Sequence, residues 1–106
     1  MHMEHVDGSN FEKEVEKHKG LVVADFWAEW CGPCKRYGPI FEDFANSNKD
    51  KAKFVKIDVE ASPEVAMNFG VQSIPTTMFF KDGKPVGREV GMLSKDLLAQ
   101  AVKHYA

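Results

Sequence analysis

Apolar and polar positions alternate along this chain so as to divide it into short strands and helices in regular succession. Met3 to Val6 ("MEHV") reads as a short strand ahead of Asp7 and Gly8. Ser9 and Glu12 have capping-box spacing, and Phe11 and Val15 lie one turn apart, so a helix is predicted from there to Gly20. "LVVADFWA" (Leu21 to Ala28) is almost continuously apolar and rich in β-branched and aromatic residues, as a strand buried on both faces reads. From Cys34 the period lengthens: Tyr37, Ile40, Phe41, Phe44 and Ala45 form a helical face, with Pro39 predicted to bend it. "KFVKIDV" (Lys53 to Val59) alternates as a strand. Ser62 and Pro63 suit an N-cap and first helical position, and Gly70 a stop. "TTMFF" (Thr76 to Phe80) is a strand, "KDGK" an Asp-Gly hairpin turn, and "PVGREVG" its return. Pro85 and Gly87 put that return strand at an edge, because proline cannot donate to a central ladder. Ser94 caps a last helix on which Leu97, Leu98, Ala101, Val102 and Tyr105 share one face.

The order β-α-β-α-β-α-β-β-α implies right-handed crossovers between parallel strands, with antiparallel strands added by the hairpin. The expectation is an α/β fold: a mixed five-stranded sheet flanked by four helices, in a single domain over residues 1–106. That length supports one core without metals or staples, and eight phenylalanines supply its bulk. The net charge of −2 is spread along the chain, and no basic run points to nucleic acid or an anionic membrane surface. Asp25 and Glu29 interrupt the apolar stretches before any could span a bilayer. The polar, acidic beginning does not read as a signal peptide, which predicts a reducing cytoplasm where structural disulfides do not persist.

The two cysteines, Cys31 and Cys34, then need a purpose. Zinc requires about four ligands, and His2, His5, His18 and His104 have no ligand spacing to the pair or to each other. A disulfide closing so short a loop removes little entropy from the unfolded chain, so a structural staple gains little. Redox chemistry accounts for each residue. Cys31 ends the loop after the buried strand, and Pro33 opens the next helix. The Cys31 sulfur therefore meets unpaired backbone N–H groups and the positive end of the helix dipole, which favour thiolate. Cys34 lies one turn further in, screened from solvent but within disulfide reach. Gly32 leaves room for a partner chain. Cys31 is thus the predicted nucleophile and Cys34 the resolving thiol.

"DFWAEWCGPCK" (Asp25 to Lys35) resembles the active-site segment of the thioredoxin family. The likeness continues through Pro39, "KIDVE" (Lys56 to Glu60), "IPT" (Ile74 to Thr76), "FFKDGK" (Phe79 to Lys84) and "VG" (Val90, Gly91). The resemblance implies a protein-disulfide reductase without a bound cofactor, its redox-active disulfide being Cys31–Cys34. It implies thioredoxin reductase and disulfide-containing proteins as partners, with neither nucleic acid nor membrane involved, and a monomer. It also implies a cis Ile74–Pro75 bond and substrate contacts at Trp30, Gly32, Pro33, Ile57, Ser73, Ile74, Pro75, Val90 and Gly91. Lys35 is a candidate for tuning the thiol. Two other classes on this fold stay open: a disulfide isomerase or oxidase, and a non-catalytic binding subunit.

Asp25 is the charge inside the buried strand. It is expected beneath the cysteine pair, relaying a proton to or from Cys34, with its pKa raised by desolvation. One departure from the family pattern bears on it. Some thioredoxins carry a lysine near this aspartate at the position occupied here by Phe54; Lys56 has the same strand parity but lies two residues further along, so the carboxylate is expected to lack a lysine partner.

Overall fold

The computed structural model describes residues 3–106; His2, considered above as a metal ligand, lies outside the described residues. In chain order the elements are β1 (Glu4–His5), a π-helical turn (Glu12–Glu16), β2 (Leu21–Trp27), α1 (Gly32–Ser47), β3 (Lys53–Asp58), α2 (Pro63–Asn68), β4 (Thr76–Lys81), β5 (Lys84–Val90) and α3 (Lys95–Tyr105). The sheet runs β1-β3-β2-β4-β5. β1, β3 and β2 are parallel, whereas β4 and β5 are antiparallel to their neighbours. This is the mixed five-stranded sheet with four helical segments that the pattern implies. Pro85 lies on the edge strand, opposite Phe80 where the β4–β5 register shifts.

β2 occupies the centre, and its side chains divide between two cores. Leu21 and Val23 point toward α1 and α3, among Tyr37, Phe41, Phe44, Leu98 and Val102. Val22, Ala24 and Phe26 point the other way, among Phe11, Val15, Val65 and Ala66. Burial on both faces explains why this segment lacks the alternation of a half-exposed strand. On the α1 side Phe54 meets Phe41 and Phe44 edge-on, with ring centroids 5.9 and 5.8 Å apart.

Several local expectations are corrected. Ser9 does not cap the first helix. Its N–H and hydroxyl both donate to the Asp7 carboxylate, which outcompetes a helix terminus as acceptor, and the helix enters at Phe11 without a side-chain cap. The turn is also wide, with the Lys17 N–H reaching back five residues to the Glu12 carbonyl at 2.8 Å. Ser62 holds the N-cap position of α2, but its buried hydroxyl makes no hydrogen bond; Pro63 presents no N–H at the next position. Ser94 does cap α3, accepting from the Leu97 N–H at 3.1 Å. Leu97 itself is exposed, so the buried stripe of α3 is Leu98 and Val102.

The hairpin turn has Asp82 at φ 52° and Gly83 at φ 84°, the left-handed pair of a two-residue turn. A Cβ on Gly83 would also collide with the Glu16 carbonyl oxygen. Gly83→Ala is therefore expected to cost about 2 kcal/mol or more of stability, since left-handed backbone alone costs an L-residue 1–2 kcal/mol. A urea melt superimposable on that of the parent would show that this turn does not press on Glu16.

Candidate active site

The C-terminal end of β2 delivers the cysteines. After Trp27 the chain turns at Ala28, whose carbonyl accepts from the Cys31 N–H at 3.2 Å. Cys31 is the N-cap of α1, with extended backbone, and its sulfur accepts from the Cys34 N–H at 3.2 Å. Pro33 occupies the first turn, where no partner for its nitrogen is needed. Cys31 and Cys34 are joined as a disulfide, with Cα atoms 5.2 Å apart, inside the usual range. Their exposures are nearly equal at 5% and 3%, so the difference between the two sulfurs is their position on the helix. Gly32 and Pro33 between them are exposed.

A second loop faces the pair. The register Phe26↔Thr76 sets the start of β4 beside the end of β2, and the peptide just before it, Ile74–Pro75, is cis. The Ile74 carbonyl oxygen lies 3.7 Å from the Cys31 sulfur. The Gly91 N–H donates to the Pro75 carbonyl at 2.8 Å, tying the end of β5 to the same loop. Ser73 is exposed, and its carbonyl accepts from the Thr76 hydroxyl.

Around this junction the surface is apolar and open. Trp30 is 67% exposed and Val90 64%. Gly91 has φ 96° with nothing near the place a Cβ would occupy, so the backbone is approachable there. Met92, not anticipated from the sequence, continues the exposed apolar edge beyond Gly91. Ile57 is a correction: it is fully buried in the core on the other face of the sheet and takes no part in this surface. Lys35 pairs with Glu29 at 3.4 Å on the exposed outside of the helix. Two grooves of about 490 and 520 Å³ exist elsewhere, and neither is lined by a cysteine. Among the described residues no cluster of His, Cys, Asp and Glu could hold a metal ion.

Beneath α1, Asp25 is completely buried and neither carboxyl oxygen has a hydrogen-bond partner. Its lysine neighbour is Lys56, which corrects the expectation of an unpartnered carboxylate. The parallel register sets Lys56 beside Asp25, whereas Phe54 lies two residues back beside Val23. The Lys56 Nζ is 3.9 Å from Asp25 Oδ2, an ion pair too long for a hydrogen bond, and 3.0 Å from Glu42 Oε2. A Cβ on Gly38 would be 3.4 Å from that Nζ, which puts the ammonium directly under α1. Gly38 is one turn beyond Cys34 on the same helix face, so the Lys56 ammonium lies one helical turn from the resolving cysteine. Lys56, set aside in the sequence reading because it lies two residues beyond the expected position, is the true neighbour, and Glu42, which stands in no motif, was missed. Burial pushes the Asp25 carboxyl up to about 7; Lys56 opposes the shift and Glu42 adds to it.

A thioredoxin family model matches residues 2–104. A Staphylococcus haemolyticus protein named thioredoxin is 44% identical over 100 residues, covering 93% of this chain and 94% of its own. Proteins of the same name from Staphylococcus saprophyticus and Staphylococcus aureus are 42% and 43% identical, covering 94% and 93% of this chain and 94% of theirs.

The raised pKa of Asp25 fixes the sign of a pH effect. Below the unfolded value of about 3.9 both states are protonated and the residue costs nothing. As pH rises to about 7 the unfolded chain ionises first, and stability falls until the folded state ionises too. Asp25→Ala leaves Lys56 paired with Glu42, so it strands no charge. Its stability relative to the parent is expected to grow by about 1.4 kcal/mol per pH unit across that window, less a small constant for the lost side chain. Urea melts at pH 4 and pH 8 read this directly, and a difference independent of pH would mean that Asp25 ionises normally.

Proposed function

The chain belongs to the thioredoxin family and is a thiol–disulfide oxidoreductase that reduces disulfides by dithiol exchange, and from that premise we propose how its residues divide the work. The observation that carries the division is Cys31 as the N-cap of α1, its sulfur accepting the Cys34 N–H. In the reduced protein that hydrogen bond and the helix dipole favour the Cys31 thiolate. The thiolate attacks one sulfur of a target disulfide: a Cys31–target bond forms, the target's own S–S bond breaks, and one target sulfur leaves as thiolate. Cys34 then gives its proton to the Asp25 carboxylate and attacks Cys31. The Cys31–Cys34 bond forms, the Cys31–target bond breaks, and the second target sulfur departs. Two electrons have passed from the dithiol to the target.

The exposed Trp30 and Val90, with Gly32, Pro33, Ser73, Ile74, Pro75 and Gly91, form the platform on which an extended target segment lies. Support comes from the Ile74 carbonyl beside Cys31 and the open backbone at Gly91. Return to the dithiol needs a two-electron reductant, and family membership points to thioredoxin reductase. The protein acts as a cytoplasmic monomer of one domain, without a bound cofactor. Among the described residues no helix is long and apolar enough to cross a membrane.

Near neutral pH, iodoacetamide is expected to modify Cys31 of the reduced protein at least about tenfold faster than Cys34, with a rate that titrates below the ordinary thiol pKa of about 8.5. Cys34→Ser is expected to accumulate mixed disulfides with a reducible protein such as insulin, and Cys31→Ser to form almost none. Equal alkylation of the two thiols, or trapping by Cys31→Ser, would reverse the assignment.

A further inference from the structure

Lys56 stands between two carboxylates of different exposure. The buried Asp25 is 3.9 Å from its Nζ, and the half-buried Glu42 is 3.0 Å away and hydrogen-bonded. The Trp27 ring lies with its centroid 4.9 Å from Nζ, and the Gly38 turn of α1 lies directly above it. Cys34, Gly38 and Glu42 succeed one another at four-residue intervals along one helix face. Glu42 therefore marks where the buried Asp25–Lys56 pair, under the Gly38 turn, reaches the protein surface. A single cation shared between two anions favours the nearer, and here the nearer is the one outside the core.

We infer that Glu42 is a positioning residue: by hydrogen-bonding Lys56 it holds the ammonium off the buried carboxylate and so sets the pH at which Asp25 exchanges its proton. Glu42 touches neither sulfur nor target and acts only through Lys56. The other groups packed around Asp25 do not compete for this role. Tyr37 of α1 is hydrogen-bonded to Thr77 at 2.8 Å, and burial raises its phenol further above the usual range. Thr77 of β4, opposite Asp25 in register, does not titrate. α3 contributes Leu98 and Val102 to this core, and its Lys95 pairs with Asp43 on the exposed surface. Cys34 is held in the disulfide.

The consequence for turnover rests on the proton-accepting role proposed for Asp25; the positioning itself does not. The two are separated by following the Asp25 carboxyl carbon by NMR titration in the oxidised protein, where neither cysteine ionises. Removing the Glu42 charge frees Lys56 to close on Asp25, so Glu42→Gln is expected to lower the Asp25 midpoint by about half a pH unit or more. Lys56→Met is expected to raise it. In the Lys56→Met background the effect of Glu42→Gln is expected to shrink to less than about half, because the intermediary is gone. An unmoved midpoint in Glu42→Gln overturns the inference. So does a drop of equal size in both backgrounds, which would make Glu42 act through its own field alone. A midpoint that moves while the pH profile of disulfide reduction does not supports the positioning and instead sinks the proton-accepting role of Asp25.

Discussion

The pairing of β2 between β3 and β4 is the constraint on which the site depends. Trp27 lies beside Asp58 and Phe26 beside Thr76, so the ends of β2 and β3 and the start of β4 share one edge of the sheet. Val90 pairs with the same Thr76, which brings the end of β5 there as well. Four segments scattered from Ala28 to Gly91 thereby converge around Cys31. Only a sheet that combines parallel and antiparallel strands collects them in this way: an antiparallel β4 starts where a parallel β2 finishes. The proposed target surface falls at the carboxyl ends of the parallel strands, where open α/β sheets generally bind ligands.

The same central strand carries the molecule's main electrostatic cost. A completely buried carboxylate with no hydrogen bond is destabilising unless neutralised, and Lys56 at 3.9 Å is only a partial partner. Apolar residues on either side of Asp25 would bury more favourably with a leucine there. Retention of an ionisable group at such a place fits proton exchange near neutral pH, where a carboxyl pushed up to about 7 is half-ionised. A carboxylate at its ordinary pKa would be a poor proton acceptor for a thiol. The instability and the proposed proton transfer have one origin.

The open platform beside the cysteines suits a protein that accepts many targets. On the proposed platform, recognition would fall to backbone groups and a few exposed apolar side chains, which tolerate varied sequences. Trp30, Val90 and Met92 supply area, while Gly91 leaves the backbone unscreened. Specificity built on such contacts is broad, since an apolar patch rejects few isosteres.

Local patterning was enough to read most elements and the identity of the redox pair. The doubly apolar run of β2, the Asp-Gly turn, the edge proline and the Ser94 cap all follow from interactions within a few residues. So does Cys31 at a helix start, because Gly32 and Pro33 specify that start by themselves. Where local signals competed, the reading failed: Ser9 had a closer acceptor in Asp7 than in the helix. The larger errors came from partners distant in sequence. Counting along β3 suggested Phe54 as the neighbour of Asp25, but lateral neighbours are set by the parallel register, which selects Lys56. Parity alone could not tell that Ile57 faces the core rather than the target, since that depends on which helices cover each face of the sheet. Glu42 carries no sequence signal at all, because its meaning comes from α1 lying across β3. Hydrogen bonds and turns within a few residues are encoded where they occur, whereas a buried charge takes its environment from whichever strands and helices the fold brings against it.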